Sequence, residues 1–124
     1  MAHLFISSTD SLDFHQTNSS FDFTVELPQT LTGSYKVALA EFYCTNQLED
    51  LYVLSDVCEQ SYCLDQMLPL MRIVHQPGEC SNMYFLKVTR SDVQRIRIYI
   101  RNADLEIPST DIGRVRCTLV FELI

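Results

Sequence analysis

Arg95-Ile96-Arg97-Ile98-Tyr99-Ile100-Arg101 alternates without a break. In an extended chain its three isoleucines fall on one side, and Arg95, Arg97, Tyr99 and Arg101 fall on the other. Successive side chains of a strand point to opposite faces, so this is the pattern of a β-strand with one buried face. A helix, with 3.6 residues per turn, would scatter the isoleucines around its circumference. Gly113 opens a second such stretch, Arg114-Val115-Arg116-Cys117-Thr118-Leu119-Val120-Phe121-Glu122-Leu123, in which Val115, Cys117, Leu119, Phe121 and Leu123 share a face.

The same period extends outward through the chain. Phe21-Asp22-Phe23-Thr24-Val25-Glu26-Leu27 alternates and is expected to end at Pro28, which cannot donate to a ladder. Residues 31–34 then turn the chain. Residues 35–44 form a long strand with enough apolar residues to be buried in part on both sides. Residues 51–57, 70–75 and 84–89 read as further strands, and Leu4-Phe5-Ile6 as a short one at the start. Gln76-Pro77-Gly78-Glu79 is a turn because proline presets φ and glycine takes a positive φ. Asn102-Ala103-Asp104 is another turn. Residues 45–50 and 64–68 are each expected to hold at most a short helical turn, since no amphipathic stretch is long enough for a packed helix.

About eight short strands separated by turns predict an all-β domain. The expectation is a single eight-stranded jelly-roll-type antiparallel β-sandwich over residues 1–124, with an immunoglobulin-like topology left open. The 124 residues fit one domain, and 47% hydrophobic against 20% charged residues supplies a core.

The formal charge of −7 argues against nucleic acid as the main partner, because such binding needs a basic surface to displace counterions. The cations are unevenly spread: Arg90, Arg95, Arg97, Arg101, Arg114 and Arg116 all lie between positions 90 and 124, which leaves room for a local basic face. No stretch approaches the roughly 20 apolar residues of a membrane span. The start of the chain lacks the cationic and apolar regions of a secretory signal, so an intracellular site of synthesis and reduced thiols are expected for the five cysteines.

Catalytic and metal chemistry find no support in the residue pattern. His3, His15 and His75 lie far apart, and Cys44, Cys58, Cys63, Cys80 and Cys117 contain no Cys-x-x-Cys spacing. The cysteines read as small hydrophobes. Glu49, Asp50 and Asp56 would suit a hard cation only if folding brought them together; a solvated loop is the plainer reading. Three glycines do not build a phosphate loop. The expectation is a protein that is not an enzyme and holds no cofactor or metal. Arg95, Arg97, Tyr99 and Arg101 remain as a candidate protein–protein interface, since Arg and Tyr are enriched at such surfaces. The plainer alternative is a solvated face paired with carboxylates of a neighbouring strand, and contact with phosphates is the third reading.

The order of the motifs carries one resemblance. Asn18-Ser19-Ser20 leads into the Phe21–Pro28 stretch; Tyr35-Lys36-Val37-Ala38-Leu39-Ala40-Glu41 and Leu51-Tyr52-Val53-Leu54-Ser55-Asp56-Val57 follow. Then come Leu68-Pro69-Leu70-Met71-Arg72, Tyr84-Phe85-Leu86-Lys87-Val88, the Ile96–Arg101 ladder and Gly113–Phe121. Taken together these resemble the small jelly-roll capsid proteins of Polinton/Maverick elements and of adintoviruses and adomaviruses. The chain departs from that pattern at Tyr62-Cys63-Leu64, where the family has a Val-Gly pair, and at Met71, where a second Leu is common.

The resemblance implies a structural viral capsid protein in the virion, of the penton-like vertex type. It would contact identical copies, as a homo-pentamer or a trimer, and the major capsid protein. A minor or cement protein bridging major capsomers is the variant reading. Leu4, Phe5 and Ile6 are then a candidate strand for docking onto a neighbour. The rival class is a monomeric ligand-binding β-sandwich, which needs a concave pocket with clustered aromatics. An enzyme on a cupin-like roll lacks its metal ligands.

Overall fold

The computed structural model describes residues 2–124. Its strands are β1 (Ala2–Ser7), β2 (Asp22–Thr32), β3 (Tyr35–Cys44), β4 (Leu51–Ser55), β5 (Ser61–Cys63), β6 (Gln66–Leu68), β7 (Leu70–Val74), β8 (Gly78–Glu79), β9 (Leu86–Lys87), β10 (Asp92–Arg101) and β11 (Val115–Leu123). These eleven strands stand where about eight were expected, and no helix occurs among the described residues. The surplus is short: β5 and β6, and the two-residue β8, which begins at Gly78 within the expected turn; β9, also two residues, is what forms of the strand expected over residues 84–89.

One sheet has the order β2-β10-β4-β7, the other β1-β11-β3-β8 with β9 also on β3, and β5 and β6 pair only with each other. Every pairing is antiparallel. The inner faces meet in one core. Phe23, Val25, Ile96, Ile98 and Ile100 come from the first sheet, and Val37, Leu39, Phe42, Leu119 and Phe121 from the second. The chain is therefore all-β and β-sandwich-like, and among the described residues no helix is long and apolar enough to cross a membrane.

Strand β10 is central, between β2 and β4. Its three isoleucines are fully buried. Burial of each contributes about 1.5–3 kcal/mol, which no surface ion pair on the opposite face matches. Hydrophobic alternation therefore fixes the strand's register and leaves the arginines outside.

Strand β3 is less regular. Leu119 of β11 faces Leu39 while Thr118 faces Glu41, so Ala40 is an extra residue in the ladder. This bulge accounts for the inward set of β3. Val37 and Leu39 face the core at odd positions, and beyond the extra residue Phe42 and Cys44 face it at even ones. What the sequence suggested as burial on both sides is mainly this change of phase, although Ala38 and Val120 are also buried on the outer face.

Proline 28 does not end its strand. β2 runs on to Thr32, because Pro28 lies inside a register shift between the Glu26–Arg95 and Leu31–Val93 pairs. It sits on an edge strand, where a missing amide costs no ladder bond. The expected helical turn at 64–68 is instead a hairpin. Leu64 and Asp65 take φ of 48° and 68°, the two left-handed residues a tight hairpin turn requires, and Cys63 pairs with Gln66 across it.

The two sheets define two lateral edges. Leu4 and Ile6 of β1 share a cleft with Val25 and Leu27 of β2 at one edge. Ile73 and Val74 of β7 share another with Glu79 and Cys80 at the opposite edge. Loops 8–21, 45–50, 75–77 and 102–114 gather at one end, tied by Asn46 N–H to the Ile112 carbonyl (3.1 Å) and by Gln47 Nε2 to the Val74 carbonyl (2.8 Å).

Candidate protein interface

Strand β10 presents Arg95, Arg97, Tyr99 and Arg101 outward from the first sheet, as the alternation predicts. Cross-strand partners then determine what each does. Arg97 grips Asp22 of β2 with two bonds, Nε to Oδ1 at 3.0 Å and Nη2 to Oδ2 at 2.7 Å. That hydrogen bond to the carboxylate raises the Arg97 pKa above its ordinary value, so the charge persists at any working pH. Arg95 Nε lies 3.3 Å from Glu26, which also meets His15 Nε2 at 2.8 Å. Asp56 accepts the Arg97 backbone N–H at 3.0 Å and faces Arg90 at 3.6 Å.

Tyr99 lies between two guanidiniums, at 4.5 Å from Arg97 and 5.2 Å from Arg101. Burial pushes the Tyr99 hydroxyl pKa up, against the downward pull of both arginines. Arg101 has no carboxylate partner among the described residues; it donates to the carbonyls of Phe21 (3.3 Å) and Ile100 (2.8 Å). Arg95 and Arg97 are thus matched by carboxylates within the chain.

Leu4, Phe5 and Ile6 lie in the other sheet, so the two parts of the expected interface are not brought together. These three residues belong to a strand at the edge of that sheet. They pair with Leu119, Thr118 and Cys117 of β11, and Ile6 is buried in the core. The pairing completes the backbone ladder along the second edge of β11, whose first edge is taken by β3. Phe5 alone points outward, 75% exposed, beside Tyr43, Arg114 and Arg116.

Glu49, Asp50 and Asp56 are not assembled either. Asp50 contacts His75 at 3.0 Å at one end of the molecule, whereas Asp56 pairs with Arg90 near the other. No group of residues suited to a metal ion occurs among the described residues. All five cysteines are free. Burial pushes the Cys58 thiol up to about 12 and raises Cys117 further.

A surface not singled out in the sequence lies along β7. This strand ends the first sheet, and a groove of about 350 Å³ runs beside it, walled by Leu70 and Ile73 on one side and Met83 and Tyr84 on the other. Tyr62 of the β5–β6 hairpin closes one part of it, 72% exposed. Arg72 is the groove's single cation, donating to the Asn82 carbonyl. The signal was present in the sequence as Tyr62, Met83 and Tyr84, apolar residues near turns that fit no inward alternation.

Comparison with protein-family models, curated proteins and solved structures yields no match.

Proposed function

We propose that the chain is a structural capsid subunit, a jelly roll of the penton-like vertex type, which works by assembling with copies of itself and with a major capsid protein in the virion. The observation that carries the reading is strand order. With β5 and β6 set aside as a hairpin, and β8 and β9 counted as one interrupted strand, eight strands remain, four to a sheet. Early strands alternate between sheets, β1 and β3 in one, β2 and β4 in the other, and the last two strands enter the middle of each sheet. That order supports the jelly-roll reading.

Surface character supports the same reading. Phe5, Phe14, Leu48, Tyr62, Tyr84 and Ile107 are each at least 60% exposed, an apolar display that a subunit buries on assembly. Sheet edges at β1, β2 and β7 are protected when neighbours cover them. A minor capsid protein bridging major capsomers is the variant of this reading. Against the ligand-binding alternative, a cleft of about 560 Å³ is lined by Thr30, Thr32, Arg90, Asp92, Gln94 and Arg95, without the clustered aromatics such a site uses.

The test is light scattering after size exclusion over a concentration series. A mass of five times the 14.3 kDa chain supports the vertex role, and three times supports the bridging role. A strict monomer at high concentration, together with no binding to a major capsid protein, overturns the reading.

A further inference from the structure

The two lateral edges of the sandwich carry surfaces that match each other. At the β1–β2 edge, residues 11–15 form a tight turn: the N–H groups of Phe14 and His15 both donate to the Ser11 carbonyl, at 3.1 and 2.9 Å. The turn is pinned to β2, because Ser11 Oγ accepts the Glu26 N–H at 2.9 Å and His15 contacts Glu26 at 2.8 Å. It thereby holds Phe14 outward, 76% exposed, with exposed Asp13 beside it. Asp13 has no ion-pair partner among the described residues.

At the opposite edge lies the apolar groove between β7 and Met83–Tyr84, with room for an aromatic ring. Its cation, Arg72, likewise has no carboxylate partner among the described residues. One edge therefore offers an aromatic anchor next to a free acid, and the other an apolar slot next to a free base.

We propose that the groove along β7 receives Phe14 of a second copy of this chain, with that copy's Asp13 set against Arg72. The surfaces lie on opposite edges of one molecule, so the contact is heterologous, head to tail. Repetition of such a contact closes a ring when the rotation per copy divides a full turn. The inference rests on the self-assembly reading and specifies its contact. A rigid aromatic side chain entering a desolvated slot is the type of residue that dominates interface energy, and the flanking charge pair sets orientation. Leu48, also exposed, sits in the loop bonded to Val74 and His75, on the groove's own side of the molecule, and so does not supply the opposite edge.

The experiment compares the concentration dependence of mass, by light scattering, for the wild-type chain, Phe14→Ser, Arg72→Asp, Asp13→Arg and the double charge exchange Asp13→Arg with Arg72→Asp. Far-ultraviolet circular dichroism checks folding, which these surface residues do not support. The expected result is weakening of about 30-fold for Phe14→Ser, at least tenfold for each single reversal, and recovery in the exchange. A wild-type oligomer with all variants assembling equally well overturns this contact and leaves self-assembly standing. A wild-type monomer at every concentration overturns both.

Discussion

Two alanines two positions apart in β3 are expected to respond very differently to deletion. Ala40 is the extra residue of the bulge opposite Leu119. Removing it leaves Val37, Leu39, Phe42 and Cys44 on a strictly alternating strand with the same inward set. The loss is confined to the bulge's bend and to the Ala40 carbonyl, which accepts the Cys80 N–H at 2.8 Å; such a bond is worth about 1 kcal/mol net. Deleting Ala38 allows the ladder to heal only by straightening at Ala40, which turns Leu39 outward and Ala40 inward. Leu39 is 1% exposed, so this equals a core Leu-to-Ala change, costing roughly 2–5 kcal/mol, with a leucine added to the surface. Against a total stability of about 5–15 kcal/mol, the Ala38 deletion is close to unfolding the domain and the Ala40 deletion is not. Urea denaturation followed by circular dichroism reads the difference as a shift in midpoint. Equal midpoints, or a lower one for the Ala40 deletion, would refute the phase argument.

Three further outcomes follow from the same geometry. Arg97→Ala should cost at most about 1 kcal/mol and less in high salt, because the Asp22 pair is 45% and 41% exposed; a double-mutant cycle with Asp22→Asn measures this. The Cys58 thiol is raised by burial from 9.0 to about 12, so the folded state keeps its proton where the unfolded state has lost it. Its contribution to stability is complete below pH 9 and is lost as pH rises from there through about 12, which urea midpoints over that range would show and a Cys58→Ala variant would lessen. Gly113→Ala should destabilise more than Gly78→Ala. Both glycines have positive φ, but a Cβ at 113 would lie 2.5 Å from the Thr45 Cβ, whereas at 78 nothing lies within 4 Å; thermal melts rank the two.

The candidate interface is legible in the sequence only in part, and the reason lies in what alternation encodes. Period two states which residues of a strand share a face, so Arg95, Arg97, Tyr99 and Arg101 were placed together correctly from sequence. It does not state who stands opposite. That Arg97 meets Asp22 and Arg95 meets Glu26 depends on β2 being the neighbour of β10, a pairing across some 70 residues. Leu4, Phe5 and Ile6 likewise take their place from a distant partner, the chain's own β11, which leaves the other edge of β1 open.

By itself the sequence determined the all-β class, most strand positions and the buried isoleucines of β10, because these follow from local hydrophobic period and turn chemistry. Only the tertiary structure decided the bulge at Ala40, the passage of β2 beyond Pro28 and the hairpin at Leu64-Asp65. It also decided the division of apolar side chains between the core and the groove beside β7. Each of these depends on which strands become neighbours and which edges stay open, and strand pairing is a long-range choice that no local pattern contains.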